Sequence, residues 1–189
     1  MLDLILFVAA ASADGGIHTL ACDRQTGAVR ALAFSPLPGA GYLVLSPDRT
    51  RLYAAVSESA TFRGDGEVAA FAVAPDGALT FLNSLPSGGL SCCHLTLAGK
   101  YLYCANYRGG TVGEFRLAED GRLERRTQLL RHEGRGVHPT RQTEAHPHFV
   151  AVTPDARFLA AVDLGCDGLF FYRLDPETGI EPIPAGFSR

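Results

Sequence analysis

The chain has 189 residues, of which 47% are hydrophobic and 20% are charged, and its formal net charge at pH 7 is −3. That length and hydrophobic content are sufficient for a sizeable buried core. Acidic and basic residues are interspersed and form no polycationic face, so we expect no nucleic-acid partner.

The first apolar run, residues 4–13, has no basic residue before it, which favours a β-strand over a signal peptide. No apolar run approaches the ~20 residues that span a bilayer, and we expect no membrane association. The five cysteines include no CxxC spacing. Such an odd set is typical of small buried side chains in a reducing compartment, so we expect a cytoplasmic protein.

Glycines recur along the chain in pairs that are 11 residues apart. Each pair encloses a short β-prone run, and its second member closes a turn such as Pro75-Asp76-Gly77. The pairs are Gly16 and Gly27, Gly66 and Gly77, Gly110 and Gly121, and Gly168 and Gly179. The constant spacing predicts four strand–turn–strand units.

A second set of strands precedes the last three of these units. The runs 51–57, 100–106 and 157–163 align with one another, and each follows another apolar strand, at 42–45, 94–97 and 149–152. Four strands in about 50 residues are the signature of a propeller blade. A β-sandwich is the alternative, but it does not require a constant glycine spacing.

The sequence therefore predicts an all-β fold, a β-propeller of four-stranded antiparallel blades with almost no helix. The chain is expected to form one domain over 1–189, with repeats near 1–36, 37–86, 87–130 and 140–189. The first repeat has no counterpart to the first strand of the others, so the chain holds just under four blades of a larger ring. Its open edges predict aggregation or self-association.

Polar side chains of several kinds crowd the loop before the last repeat. A guanidinium, a carboxamide, a carboxylate and two imidazoles occur within eight residues, as Arg141, Gln142, Glu144, His146 and His148. Such a density on a connecting loop is typical of a functional site. An exposed ion pair and surface histidines are the structural alternative.

Four motifs resemble the seven-bladed propeller lactonases, which include one class of bacterial 6-phosphogluconolactonases and the fungal carboxy-cis,cis-muconate cyclases. They are Cys93-His94, Ala105-Asn106-Tyr107, Arg141-Gln142 with His146-Pro147-His148, and Asp163-Leu164-Gly165-Cys166-Asp167. The motifs follow the family's order along the chain. The resemblance implies a seven-bladed ring, of which this chain holds about the N-terminal half, and an enzyme without a cofactor.

The resemblance also implies that the intact protein hydrolyses a small anionic lactone, with 6-phosphogluconolactone of the pentose phosphate pathway as the first candidate. Such a reaction needs a base to activate water, a donor for the developing oxyanion and an acid for the leaving oxygen. The candidate catalytic residues are His94, Arg141, Glu144 and His148. The candidate substrate-binding residues are Asn106, Tyr107, Gln142, His146, Asp163 and Asp167.

Several alternatives remain open at this point. Asn106 and Asp163 occupy equivalent repeat positions, where bracing of a turn is favoured over substrate contact. His146 and His148 could be ligands of a metal, but no cysteine or carboxylate set completes a site, and we expect none. A lactonising cyclase acting on a muconate-like dicarboxylate, a non-catalytic binding propeller and an inactive fragment are the other functional hypotheses.

Overall fold

The computed structural model describes residues 3–188, with side chains up to residue 181, and it forms four antiparallel sheets. Residues 1, 2 and 189, the outermost positions of the first and last predicted repeats, lie outside the described range. Sheet one contains β1 (Leu4–Ala10), β2 (Gly16–Cys22) and β3 (Val29–Pro36). Sheet two contains β4 (Ala40–Leu45), β5 (Arg51–Val56), β6 (Glu67–Val73) and β7 (Leu79–Pro86).

The remaining strands form two more sheets of four. Sheet three contains β8 (Cys92–Ala98), β9 (Tyr101–Asn106), β10 (Thr111–Leu117) and β11 (Leu123–Arg131). Sheet four contains β12 (Pro147–Val152), β13 (Phe158–Asp163), β14 (Gly168–Asp175) and β15 (Gly179–Ser188). Within each sheet the spatial order of the strands follows the chain. The prediction of an all-β chain of antiparallel four-stranded sheets is confirmed, and sheet one has three strands, as its missing counterpart led us to expect.

The second glycine of each sequence pair lies in the hairpin between the last two strands of a sheet. All four have left-handed backbone angles, with φ of 72° at Gly27, 86° at Gly77, 84° at Gly121 and 87° at Gly179. Other residues adopt this region only with strain, so the hairpin requires glycine at a fixed distance after the preceding strand. This requirement explains the constant glycine spacing in the sequence.

The sheets pack face to face in chain order, and the core consists of three layers between them. Ile17, Leu52 and Phe71 are buried between sheets one and two. Tyr53, Leu95 and Phe115 are buried between sheets two and three, and Tyr103, Leu159 and Tyr172 between sheets three and four. The three layers lie between sheets that are consecutive in the chain, and this arrangement is that of consecutive propeller blades.

Side-chain hydrogen bonds join each sheet to an outer hairpin of the next one. Thr19 Oγ1 donates to the carbonyl oxygen of Gly77 at 3.1 Å, Tyr53 Oη to Gly121 at 3.0 Å, and Tyr101 Oη to Glu177 at 2.7 Å. The donors lie in the interior strands, and the acceptors are turn carbonyls that have no partner in their own hairpin ladder. These bonds fix the offset between neighbouring sheets.

The antiparallel order of the strands divides the loops between two ends of the stack. We call one of them the site end and define it by the turn 107–110, the long loop 132–146 and the turn 164–167, which follow β9, β11 and β13. All the candidate residues lie in these loops or in the strand segments next to them. Within residues 3–188 the structure has no helix with the length and apolar character of a membrane span.

Candidate active site

Backbone contacts hold the three loops of the site end together. The N–H of Leu164 donates to the carbonyl oxygen of His146 at 3.0 Å, so the turn after β13 is tied to the end of the long loop. Gly165 permits this approach, because a Cβ atom there would lie 1.8 Å from the carbonyl oxygen of Glu144. The close packing of these loops brings residues that are far apart in the sequence into one cluster.

The cluster is centred on Tyr107, and we call it the Tyr107 cluster, consisting of Tyr107, Arg141, His146 and His148. The Tyr107 ring stacks on His146 with a centroid distance of 4.4 Å and an interplanar angle of 10°. His148 approaches the same ring edge-on at 5.3 Å, and Arg141 Nη2 donates to Tyr107 Oη at 3.4 Å. The structure thus brings one cation and two imidazoles together around one phenol.

The protonation of His146 follows from its backbone contact. Its Nδ1 atom lies 2.9 Å from the carbonyl oxygen of Tyr107, which can only accept, so Nδ1 carries the proton. In the neutral ring Nε2 then keeps its lone pair. His146 is largely buried, with 8% of its surface exposed, and none of the described residues donates a hydrogen bond to Nε2. The arrangement is that of a base oriented by a fixed acceptor.

His94 has the opposite tautomer. Its Nδ1 accepts the N–H of Val150 at 3.4 Å, so the neutral ring carries its proton on Nε2. The ring lies between Tyr42, at 4.1 Å, and Phe149, at 4.3 Å. Burial and the nearby His148 together lower the pKa of His94 below its ordinary value of 6.5. His94 is therefore a neutral hydrogen-bond donor in an aromatic setting.

Two further candidates are exposed. Glu144 lies in the long loop with its side chain in solvent, and Asp167 lies in the turn before β14 with φ of 54°. Both are at the site end, but the structure does not place either side chain in the Tyr107 cluster. Their predicted roles stay predictions.

Gln142 and Asn106 use their side-chain groups inside the protein. The Gln142 carboxamide accepts the N–H of His138 at 2.9 Å and donates to the carbonyl oxygen of Leu164 at 2.9 Å. Asn106 is fully buried and donates to the Ser87 carbonyl at 3.1 Å and to Thr111 Oγ1 at 3.0 Å. Through these contacts the two side chains brace loops, and each amide nitrogen donates to a group inside the protein.

Asp163 is also a buried brace. Its Oδ1 accepts the N–H groups of His146 at 2.8 Å and Cys166 at 2.9 Å, while Oδ2 lies 2.7 Å from His132 Nδ1. Burial alone would raise the pKa of Asp163, but the hydrogen bonds from His132 and the two amides outweigh it and lower the pKa below 3.8. Asp163 is therefore a carboxylate that holds the two loops of the site in register.

Sequence reasoning missed His132 and Tyr172. His132 Nε2 lies 2.9 Å from Tyr172 Oη, and the imidazole and the Asp163 carboxylate are both 0% exposed. His132 is 31 residues from Asp163 and 40 from Tyr172. It also falls in the gap between the third and fourth predicted repeats. No local sequence motif indicates that His132 bonds to these two residues. Only the packing of the end of β11 against the neighbouring sheet could have suggested these hydrogen bonds.

The chemistry available at the site end consists of proton transfer and anion binding. His146 offers an imidazole lone pair, His94 offers an N–H donor, and Arg141 offers an exposed guanidinium that can bind a carboxylate, a phosphate or a developing oxyanion. These are the components that the hydrolysis of an ester or lactone requires.

Comparisons with known proteins agree with this architecture. The chain is 35% identical over 136 residues to the 6-phosphogluconolactonase of Bacillus subtilis (strain 168), which corresponds to 70% of this chain and 38% of that protein. It superposes on the periplasmic gluconolactonase of Pseudomonas aeruginosa with a TM-score of 0.85 at 27% identity, covering 95% of this chain and 53% of the other. A protein from Lactobacillus plantarum gives a TM-score of 0.83 at 25% identity, with 100% and 53% covered.

The chain thus spans about half the length, or less, of these relatives. The family model described as "Lactonase, 7-bladed beta-propeller" matches residues 5–187, which is nearly the whole chain. The four consecutive antiparallel sheets of the chain correspond to part of a seven-bladed ring. The chain therefore belongs to the family of seven-bladed β-propeller lactonases.

Proposed function

We propose that the intact protein is a lactone hydrolase that acts on a small anionic sugar lactone, with 6-phosphogluconolactone as the first candidate. The observation that carries the proposal is the Tyr107 cluster, in which an imidazole of fixed tautomer and a guanidinium both contact the Tyr107 ring. Family membership supports the same reaction class, and the Bacillus subtilis relative carries the corresponding name. This substrate would place the protein in the pentose phosphate pathway.

In the proposed mechanism, His146 Nε2 takes a proton from water, and the resulting hydroxide attacks the carbonyl carbon of the lactone. The Tyr107 carbonyl holds the Nδ1 proton and so stabilises the imidazolium that forms. His94 donates from Nε2 to the carbonyl oxygen as it becomes negative. The ring C–O bond then breaks, and the leaving alkoxide takes the proton that His146 removed from water, either directly or relayed through the exposed His148 of the same cluster.

Arg141 binds the negative group of the substrate in this scheme. Its guanidinium is exposed and contacts Tyr107 Oη at 3.4 Å, a long hydrogen bond that an anion can displace. A covalent route through Cys93 is disfavoured, because burial raises the pKa of that thiol to about 11 and leaves it protonated. Water is therefore the nucleophile in the proposal.

We also propose a cytoplasmic location. Cys22, Cys92, Cys93 and Cys104 form no disulfide within the described residues, and Cys92, Cys104 and Cys166 are buried. An oxidising compartment favours disulfides, whereas these side chains pack as small apolar groups. Cell fractionation with an antibody against the chain tests the location, and recovery in a periplasmic extract contradicts it.

The decisive experiment measures the hydrolysis of 6-phosphogluconolactone and of the unphosphorylated gluconolactone by wild type, Arg141→Ala and Arg157→Ala. Arg157 lies at the opposite end of sheet four, so its variant is a charge-matched control. We expect Arg141→Ala to lower kcat/KM for 6-phosphogluconolactone by about 10–100-fold, because a charged hydrogen bond to the negative group of the substrate is lost, and Arg157→Ala to leave it unchanged. Wild-type rates equal to the uncatalysed rate with both lactones, at concentrations where the chain is folded, contradict the proposal.

A further inference from the structure

Three side chains form a continuous series of hydrogen bonds in the interface between sheets three and four. Tyr172 Oη lies 2.9 Å from His132 Nε2, and His132 Nδ1 lies 2.7 Å from Asp163 Oδ2. His132 and Asp163 are 0% exposed, and the imidazole packs against the Phe170 ring at 3.9 Å. All three residues are buried, with at most 4% of their surface exposed, and they lie between the sheets and not among the residues of the Tyr107 cluster.

The positions of the hydrogens follow from the partners. Asp163 is a carboxylate and can only accept, so His132 Nδ1 donates to it. Burial and the charge of Asp163 raise the pKa of Tyr172 to about 12, so the phenol keeps its proton and donates to Nε2. Each group thus has a defined role, and the imidazole transmits the orientation of the phenol to the carboxylate.

The other oxygen of the same carboxylate faces the candidate active site. Asp163 Oδ1 accepts the backbone N–H of His146 at 2.8 Å and that of Cys166 at 2.9 Å. A carboxylate has a single torsion that places both oxygens, so the bond to His132 also fixes Oδ1 under the two amides. The backbone of His146 in turn fixes the ring that stacks on Tyr107.

We propose that His132 and Tyr172 are positioning residues for His146 and act through Asp163. The inference rests on the lactonase function proposed above and extends it to two residues outside the site. A carboxylate without its Nδ1–H partner can rotate away from the amides or draw in water, and the His146 ring then loses its alignment with the Tyr107 carbonyl. Preorganised sites depend on such supporting contacts, because a shift of about 1 Å can lower a rate by about 10²-fold.

Two carboxamide substitutions test the proposal as a matched pair. The amide nitrogen of asparagine lies close to where Nδ1 of histidine lies, whereas that of glutamine lies close to Nε2. His132→Asn can therefore still donate to Asp163, and His132→Gln cannot do so from the same backbone position. We expect His132→Asn to keep kcat within about threefold of wild type and His132→Gln to lower it by up to about 100-fold, with KM changed by no more than about twofold in either.

A purely structural role predicts a different result. In that case each variant loses activity in proportion to the decrease in its Tm relative to wild type. All rates are therefore measured well below the lower Tm. Tyr172→Phe, which keeps the ring volume and the bond between His132 and Asp163, serves as the second variant should His132→Gln fail to fold. We expect it to show a smaller loss of kcat than His132→Gln, of about three- to tenfold.

A spectroscopic readout separates this proposal from the proposed function. In ¹⁵N-labelled protein, long-range correlations of the imidazole report which nitrogen of His146 is protonated, with no need for a substrate. We expect the Nδ1–H form in wild type and His132→Asn, and a mixture of tautomers in His132→Gln. Absence of lactone hydrolysis with this tautomer pattern defeats the proposed function alone, whereas an unchanged His146 tautomer in His132→Gln overturns the positioning role.

Discussion

His146 donates from Nδ1 to the carbonyl oxygen of Tyr107 across 2.9 Å, while its ring stacks on the phenol of the same residue at 4.4 Å. One residue thus holds an imidazole twice, through its backbone and through its side chain. The hydrogen bond selects the tautomer, and the stacking selects the plane of the ring. A substitution at Tyr107 can remove the stacking while the backbone carbonyl stays in place.

The first prediction concerns the contribution of the stacking on Tyr107. Tyr107→Phe keeps the carbonyl and the ring and loses only the contact with Arg141, so we expect kcat to stay near wild type with at most a severalfold rise in KM for an anionic lactone. Tyr107→Ala removes the stacking partner, and we expect kcat to fall by at least tenfold. Steady-state kinetics of both variants check this, and equal rates in both would show that the stacking does not position the imidazole.

The second prediction concerns the buried Glu114. Its carboxylate accepts from Thr127 Oγ1 at 2.6 Å and from the N–H of Ile180, in the next sheet, at 2.6 Å. Burial raises the pKa of Glu114 above its ordinary value of 4.5, although these hydrogen bonds oppose the rise. The folded state therefore binds this proton more tightly than the unfolded state does.

The stability that the proton adds is fully present below pH 4.5 and is lost as the pH rises through the folded pKa. Glutamine does not titrate, so the free energy of unfolding of Glu114→Gln does not fall for this reason as the pH rises. We expect its free energy of unfolding to improve relative to wild type as the pH is raised from about 4 to about 7. Urea unfolding at three pH values measures this, with the exposed Glu119→Gln as control, and a difference that does not change with pH would contradict it.

The third prediction compares two glycines of the same repeat position. Gly27 and Gly179 have φ of 72° and 87°, so alanine at either one is strained by about 1–2 kcal/mol. A Cβ atom meets nothing within 4 Å at Gly27, but at Gly179 it would lie 2.4 Å from Glu114 Oε2. We expect Gly27→Ala to cost only the backbone strain and Gly179→Ala to cost more, and equal losses in chemical denaturation would exclude the clash.

The fourth prediction concerns the outer face of sheet one. Val8 and Phe34 are 45% and 46% exposed there, on the face directed away from sheet two. We expect the isolated chain to associate at micromolar concentrations and a Val8→Lys, Phe34→Lys variant to associate less. Light scattering after size exclusion checks this. Phe81→Lys, at a side chain 55% exposed in sheet two, is the control and should leave the association unchanged.

The fold was predictable from the sequence because its signals are local. Alternation in the strands and the left-handed turn at positions such as Gly77 recur in every repeat, and each repeat reports the same hairpin. The site was predictable in part, since Arg141, His146 and His148 lie within eight residues and Tyr107 follows a strand end in the neighbouring repeat. These residues come together because adjacent sheets stack on each other.

The remaining features depend on contacts that no local pattern records. The tautomer of His94 is set by a backbone N–H of β12, and that of His146 by a backbone carbonyl of the turn after β9. Glu114 has the place of an ordinary polar residue in an alternating strand, yet it is 1% exposed because sheet four covers it. His132 was not recognised because both of its partners belong to the following sheet.

The hydroxyl bonds between neighbouring sheets also set an order of events during synthesis. Thr19, Tyr53 and Tyr101 donate to turn carbonyls 58, 68 and 76 residues further along the chain. At a translation rate of about 5–20 residues per second, each donor waits roughly 3–15 s on the ribosome before its acceptor has been made. A sheet of this protein is thus completed only by the repeat that follows it, and a pause in translation between repeats prolongs the exposure of the face that the next sheet covers.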